Sequence, residues 1–337
     1  MAWPLAADWP GKAAAIPWVF AEVARQLCPR ERVRILVRSA AERSRARSVL
    51  ARAGVPQGAV EFFRHATDRS WTRDFMPLFV ARRPRSGRRA ELGAVKWRFN
   101  GWGRYSNHHQ DEAAGLAVAE AIASVCWQPA TVTRGRDRLA VLEGGAIDGD
   151  GQGTCVASDP CLVSGPRARN RALGQTGLER LLREYLGIQR VLWMGDGIAG
   201  DDTSGHVDDF VRFVAPGRVV IAREPKRRDP NAACLARARE RLTGVTDARG
   251  RRLELFELPM PEPVCFRGER LPASYANFYV ANGVVLVPTF NDPADRIALG
   301  ILSELFPSRR VVGVHCRDLV LGLGTLHCST QQQPAAR

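Results

Sequence analysis

Lysine is nearly missing from this chain. In 337 residues it occurs only at Lys12, Lys96 and Lys226, so almost all of the 49 positive charges are arginine. No apolar run approaches the roughly 18 residues a membrane helix needs, and the opening MAWPLAADWPGKAAA has neither a basic start nor an unbroken apolar stretch. The expectation is a cytoplasmic protein with no membrane partner. No CxxC pair joins any of the eight cysteines (Cys28, Cys126, Cys155, Cys161, Cys234, Cys265, Cys316, Cys328), which argues against a zinc ribbon or a thioredoxin-like redox site. Most of them are expected as reduced, buried small hydrophobes. The net charge of +14 raises the question of an acidic partner. Its two densest clusters, RRPRSGRR at 82–89 and REPKRR at 223–228, hold proline and no interleaved aromatics, whereas single-stranded nucleic-acid grooves stack bases on aromatic rings. Both are expected as solvated loops, and no nucleic-acid partner is expected.

With 45% hydrophobic residues the chain can bury a sizeable core. Strand-like runs recur at 32–37, 74–80, 153–158, 190–195, 217–222, 283–288 and 310–316, mostly bounded by Gly or Pro. Helical periodicity fills stretches between them, at 16–27, 112–125, 177–186 and 295–306. The class is α/β or α+β. Similar units spaced along the whole length, with no linker separating halves, predict one domain over 1–337 built of quasi-repeated modules.

The stretch GIAGDDTSGHVDDFVRFVAPGRVV (197–220) reads as a polar loop entering a strand at His206. In a strand, residues i and i+2 share a face, so His206 and Asp208 are expected side by side with Val207 opposite. A satisfied histidine at a strand edge would look the same. Two further patches resemble site linings. In WTRDFMPLFV (71–80), Arg73 and Asp74 stand at the mouth of an apolar run, and in VLEGGAID (141–148), Glu143 precedes two glycines that allow close approach. KWRFNGWGRY (96–105) offers Trp97 and Trp102 as walls for a flat or aliphatic substrate.

RFNGWG, LEGGAID, GDDTSGHVDDFVRF, PASYANFYVANGVVLVPTFNDPADRIALGILSELFPSRRVVGVHC and GLGTLHCSTQQQP, taken in order, resemble the bacterial agmatine deiminase family, kin of the bacterial peptidylarginine deiminases within the pentein superfamily. The resemblance runs from about Trp3 to the C-terminal region. It implies a five-module α/β propeller with a pseudo-fivefold repeat of strand–helix units. It also implies hydrolysis of the agmatine guanidinium to N-carbamoylputrescine and ammonia, as in polyamine biosynthesis towards putrescine, with no metal and no organic cofactor. A homodimer would be ordinary for the family.

The resemblance assigns roles. Cys328 would attack the guanidinium carbon as a thiolate and form a covalent amidino-thioether. His206 would protonate the departing ammonia and then activate water. Asp74 and Asp208 would grip guanidinium nitrogens, which bidentate carboxylates hold well, and Glu143 would orient His206. Trp71, Trp102 and Arg73 complete the expected substrate-binding set. His327 is expected to be a poor acid or base, because neighbours in an extended segment face opposite ways.

Two departures from the family bear on the substrate. Family members usually carry an extra N-terminal segment before this Trp-Pro, and Met76 stands where many have glycine, which predicts a narrower or differently shaped pocket beside Asp74. A surface at +14 would repel agmatine, a dication, unless Asp196, Asp201, Asp202, Asp208 and Asp209 make the mouth acidic. Otherwise peptidyl-arginine or another guanidino compound becomes the better substrate. A non-catalytic basic binder of RNA or DNA on the same fold is the third reading, and the presence of every catalytic residue type weighs against it.

Overall fold

The runs VRILV, TCVAS, RVVIAR and VVLVPT become strands with most side chains buried on both faces, as in parallel sheets covered from both sides. They do so in a computed structural model that describes residues 1–82, 91–123, 125–133 and 136–335. After α1 (Ile16–Leu27) the chain forms β1 (Val33–Val37), crosses through α2 (Ala40–Arg52) and returns parallel as β2 (Val60–Arg64). Ala2 is bridged to Leu36 of β1. A short α3 (Thr72–Phe75) leads to β3 (Leu78–Arg82), antiparallel to β4 (Glu91–Val95), and α4 (His109–Ile122) carries the chain to β5 (Val125–Trp127), parallel to β4.

The hairpin β6 (Ala130–Thr133) and β7 (Arg136–Leu139) follows. The antiparallel-then-parallel arrangement then recurs as β8 (Ile147–Gly149), β9 (Thr154–Ser158), α5 (Gly174–Leu186) and β10 (Arg190–Met194). It recurs again as β11 (Val211–Ala215), β12 (Arg218–Arg223), α6 (Pro230–Leu242) and β13 (Glu254–Pro259). The two-residue strands β14 (Cys265–Phe266) and β15 (Glu269–Arg270) precede a last repetition: β16 (Tyr279–Ala281), β17 (Val284–Thr289), α7 (Pro293–Leu305) and β18 (Arg310–His315). The fold is mixed α/β, and among the described residues four three-stranded sheets share one connectivity.

Local chemistry sets the boundaries. α7 starts two residues before the predicted 295, because Asp292 and Asp295 form a capping box around Pro293. α5 stops at Gly187, whose φ of +70° suits glycine. The strand expected at 74–80 begins only at Leu78. Pro77 forces Met76 extended, and Asp74 and Phe75 close the preceding helical turn. α2 and α6, rich in arginine, were not predicted, since their apolar stripes are only a few residues wide.

One apolar cluster joins Ala2, Trp3 and Trp9 to Leu326 and Cys328, so the first and last described segments share a core. Among the described residues no helix is long and apolar enough to cross a membrane. The 82–89 arginine run lies, apart from Arg82, outside the described residues. In the second run, Arg223 and Lys226 pair with Glu257 and Glu262 at the surface, as expected of a solvated loop.

Candidate active site

Four separate segments deliver polar side chains to one buried point around Gly145. Asp74 comes from α3; its Oδ2 accepts from Trp102 Nε1 at 2.8 Å and its Oδ1 from the Gly145 amide at 3.0 Å. Glu143 stands before the single 3-10 turn Gly144–Ala146. His206 and Asp208 come from the polar loop, and the expected strand there is instead a 3-10 turn, Val207–Asp209, with β11 starting at Val211. The Asp201 carboxylate causes this by accepting from the amides of Thr203, Gly205 and His206, which curls the loop before the sheet begins. His206 and Asp208 still meet: a Cβ on Gly145 would lie 2.5 Å from His206 Nδ1, 3.0 Å from Asp74 Oδ1 and 3.1 Å from Asp208 Oδ2. Only glycine leaves room for this convergence.

His206 Nδ1 is 3.8 Å from Asp74 Oδ1 and its Nε2 is 3.4 Å from Glu143 Oε2. Across the site, Cys328 Sγ lies 3.6 Å from Asp208 Oδ2. Cys328 sits on a turn sewn to the body of the protein, with its carbonyl accepting from the Arg73 amide and the Ser329 carbonyl accepting from Thr72 Oγ1. The segment is not extended, so the argument that set His327 aside fails. Both neighbours face the site, and His327 Nδ1 reaches Asp208 Oδ2 at 2.6 Å. One proton between them suffices, because burial together with Arg212 and Arg73 pushes the His327 pKa well below its ordinary value.

Burial opposes the His206 cation too, but the Asp74 carboxylate, with contacts from Cys161 and Glu143, outweighs it and lifts that pKa well above the imidazole range. Burial raises the Asp74 carboxyl, helped by repulsion from Glu143, raises Asp208, helped by Asp74, and raises Asp209, helped by Asp208 and Asp201. Glu143 goes the other way. Burial would raise it, yet the Arg169 guanidinium, with Nε 2.9 Å from Oε1, holds it at about 2. The Cys328 thiol is pushed far up, by burial and then by Asp208, Asp209 and Asp74. Without a cation in the site the sulfur therefore keeps its proton.

A cavity of about 360 Å³ opens onto these groups. Its wall includes Trp71 and Trp102, as expected, and the carboxylates of Asp8, Asp74, Asp202 and Asp209. Trp71 packs against Trp9, with ring centres 5.4 Å apart, and Trp102 is wedged edge-on against Phe99. Trp102 holds φ at +58°, a left-handed backbone unusual for a bulky residue, of the kind that clusters at functional sites.

Other expected contacts are absent. Arg73 is buried behind the site, with Nε towards the His327 carbonyl, and does not line the cavity. Trp97 packs in another core cluster, edge-on to Tyr185. Met76 turns to a separate groove beside β1 and does not narrow the space at Asp74. Of the acidic stretch, Asp202 and Asp209 reach the cavity, whereas Asp208 is fully buried against His327 and Cys328 and does not line it, Asp196 pairs with Arg237 outside it and Asp201 caps its own loop.

Three residues of the assembly escaped the sequence reading: Arg169, Asn277 and Asp8. Asn277 lies inside a stretch that was singled out, but an amide carries no spacing that marks a role. Among the described residues two groups could coordinate a metal, Glu143 with Cys161 and His206, and Asp208 with Asp209 and Cys328. The first already has Arg169 as its cation.

The chain matches the family described as Porphyromonas-type peptidyl-arginine deiminase over residues 1–334. It is 35% identical to the agmatine deiminase of Pseudomonas fluorescens and 34% identical to that of Ectopseudomonas mendocina, each alignment covering 99% of this chain and 92% of the relative. Its structure resembles the agmatine deiminase of Enterococcus faecalis with a TM-score of 0.85, at 29% identity over 100% of this chain and 93% of that one.

Proposed function

Because this chain belongs to the Porphyromonas-type peptidyl-arginine deiminase family, we propose that it is a hydrolase of the C–N bonds of guanidines and that its substrate is agmatine. The observation that carries the reading is that Asp74, His206 and Cys328 share one cavity wall, with the Asp208 carboxylate in contact with both the Gly145 point and Cys328 Sγ. A planar cation with five donors suits two such carboxylates. Once it is bound, its charge lowers the thiol pKa, and the Sγ proton leaves to solvent.

The thiolate then adds to the guanidinium carbon, giving a neutral tetrahedral adduct. His206, already an imidazolium, gives its proton to one amino group; ammonia departs with the C–N bonding pair and leaves a cationic amidino-thioether on Cys328. Neutral His206 next takes a proton from water as the hydroxyl adds to the same carbon. The C–S bond breaks with its electron pair returning to sulfur, the hydroxyl proton leaves to solvent, and the ureido product, N-carbamoylputrescine, remains. Glu143, kept ionised by Arg169, holds the imidazole through both proton transfers.

Agmatine is favoured over peptidyl-arginine because the cavity wall carries a carboxylate that, among the described residues, no ion pair neutralises. Asp8 on that wall is paired with Arg69, but Asp202, which accepts only from the Tyr105 hydroxyl, suits a second positive charge. The same reading takes the recurrent strand–helix units as five blades of one propeller domain; the four like-connected sheets, with β1, α2 and β2 as a fifth unit, support it.

Ureido-product colorimetry tests it, with agmatine, free arginine and a blocked arginine peptide side by side, for wild type and Cys328→Ala. Agmatine turnover that disappears in the variant is the expected result. Preference for the peptide would move the substrate assignment to peptidyl-arginine, and turnover by Cys328→Ala would remove Cys328 from the chemistry.

A further inference from the structure

We propose that the site also deiminates free arginine, and that Arg69 on the cavity wall admits it by binding the α-carboxylate. This activity rests on the guanidine hydrolysis proposed above. Arginine is agmatine with a carboxylate added to the carbon that bears the ammonium. Both molecules therefore bring the same guanidinium, the same chain length and an ammonium in the same place, and only the wall around that ammonium can tell them apart. The wall holds a charge of each sign. Asp202 and Arg69 both line the cavity, and one ring joins them: the Tyr105 hydroxyl donates to Asp202 Oδ2 at 2.6 Å, and the Arg69 guanidinium lies 5.1 Å from the centre of the Tyr105 ring. A carbon carrying both an ammonium and a carboxylate meets complementary charge in both, whereas agmatine has a use for Asp202 alone.

Arg69 has donors to give. Of its five N–H groups, one is spent on the Asp68 carbonyl at 3.1 Å and one on Asn107 Oδ1 at 3.2 Å, which leaves three without a hydrogen bond among the described residues. Those two bonds and the Tyr105 ring already hold the guanidinium, so little ordering remains to be done when a ligand arrives. Its ion-pair partner, Asp8, stands 3.7 Å from Nε, beyond hydrogen-bond length, and a substrate carboxylate can take the short, forked geometry that Asp8 does not reach. Arg104 lies against the same ring but does not line the cavity, and among the described residues no other arginine or lysine does. For agmatine alone such a residue is a cost, since its charge repels the ammonium. The chemistry is that given for agmatine: the oxygen of water ends on the guanidinium carbon, the C–N bond breaks with its pair leaving on ammonia, and arginine and water become citrulline and ammonia.

The test compares kcat/KM for L-arginine, L-argininamide and agmatine, by ureido colorimetry, in wild type and Arg69→Met. Argininamide keeps the ammonium and loses the carboxylate, so wild type should handle it at least about tenfold less well than arginine, as for the loss of a charge-assisted hydrogen bond. Arg69→Met should lower the value for arginine by about tenfold or more and raise that for agmatine by removing a like charge, so the two substrates move in opposite directions. A variant that merely loosens the site would lower both. Melting curves check that the variant folds, and if it does not, arginine against argininamide in wild type decides alone. Turnover of agmatine with no citrulline from arginine would overturn the proposal and leave the agmatine reading standing. Equal values for arginine and argininamide in wild type, or an arginine-to-agmatine ratio that is the same in both proteins, would overturn it too. No product from any guanidine would instead remove the hydrolase reading, and this activity with it.

Discussion

Adding one methyl group to Gly145 should disable the site while leaving the protein folded. Gly145 lies outside the left-handed backbone region, so alanine there meets a steric problem and no conformational one. The new Cβ would stand 2.5 Å from His206 Nδ1, about 0.9 Å inside the 3.4 Å of ordinary contact, and would press on Asp74 and Asp208 by a few tenths of an ångström. All three neighbours are buried and hydrogen-bonded, so none can swing away. Overpacking of this kind costs about 1–3 kcal/mol of stability, which a thermal melt registers as a shift of a few degrees. The effect on chemistry should be larger, because a misplacement near 1 Å in a catalytic constellation costs about 10²-fold. The assay is kcat for ureido formation from agmatine, with circular dichroism to show the fold. Gly149→Ala is the control, since its Cβ meets only the Thr154 carbonyl at 3.5 Å. Wild-type kcat and KM in Gly145→Ala would refute the claim that the four segments converge on this point.

Two further expectations concern buried charge. Glu143→Gln strands the Arg169 guanidinium, whose side chain is fully buried, and should destabilise the fold by about 3–5 kcal/mol. A lowered urea midpoint that recovers in Glu143→Gln/Arg169→Met checks it, and an unchanged midpoint in the single variant would refute it. Asp111, whose Oδ1 accepts from the Asp68 and Arg69 amides, has its carboxyl pushed by burial from an ordinary 3.8 to about 8. An acid raised in the folded state costs stability as pH climbs from its unfolded pKa through its folded one, between about 4 and 8. Asp111→Asn keeps the oxygen and never ionises. Its melting temperature should therefore gain on wild type steadily across that window, whereas parallel curves would refute the shift.

The parts of the protein legible in its sequence are those that leave a period or a motif. α1, α5 and α7 carry strong apolar stripes, and the best-buried strands carry β-branched runs. Asp74, Glu143, His206, Asp208 and Cys328 could be singled out from their motifs, and they do come together. The route to that convergence was misread twice, at the turn Val207–Asp209 and at the turn bearing His327. In both places side-chain caps, Asp201 in one and Asn277 in the other, override the local extended pattern. Trp97 and Met76 stand only a few residues from true wall residues in sequence, and their orientation depends on sheet pairing that no local pattern encodes. Asn277 was invisible because no local pattern encodes which groups a side-chain amide will bond.

Arg73 and His327 touch although 254 residues separate them. Inheritance must reckon with that distance. A recombination breakpoint almost anywhere in the coding sequence places the cysteine under one parent and the aspartate of α3 under the other. Hybrids between distant relatives would keep their sheets, each of which is local, and lose their chemistry, so the lineage of such an enzyme is expected to descend as a whole message and not as exchangeable blocks.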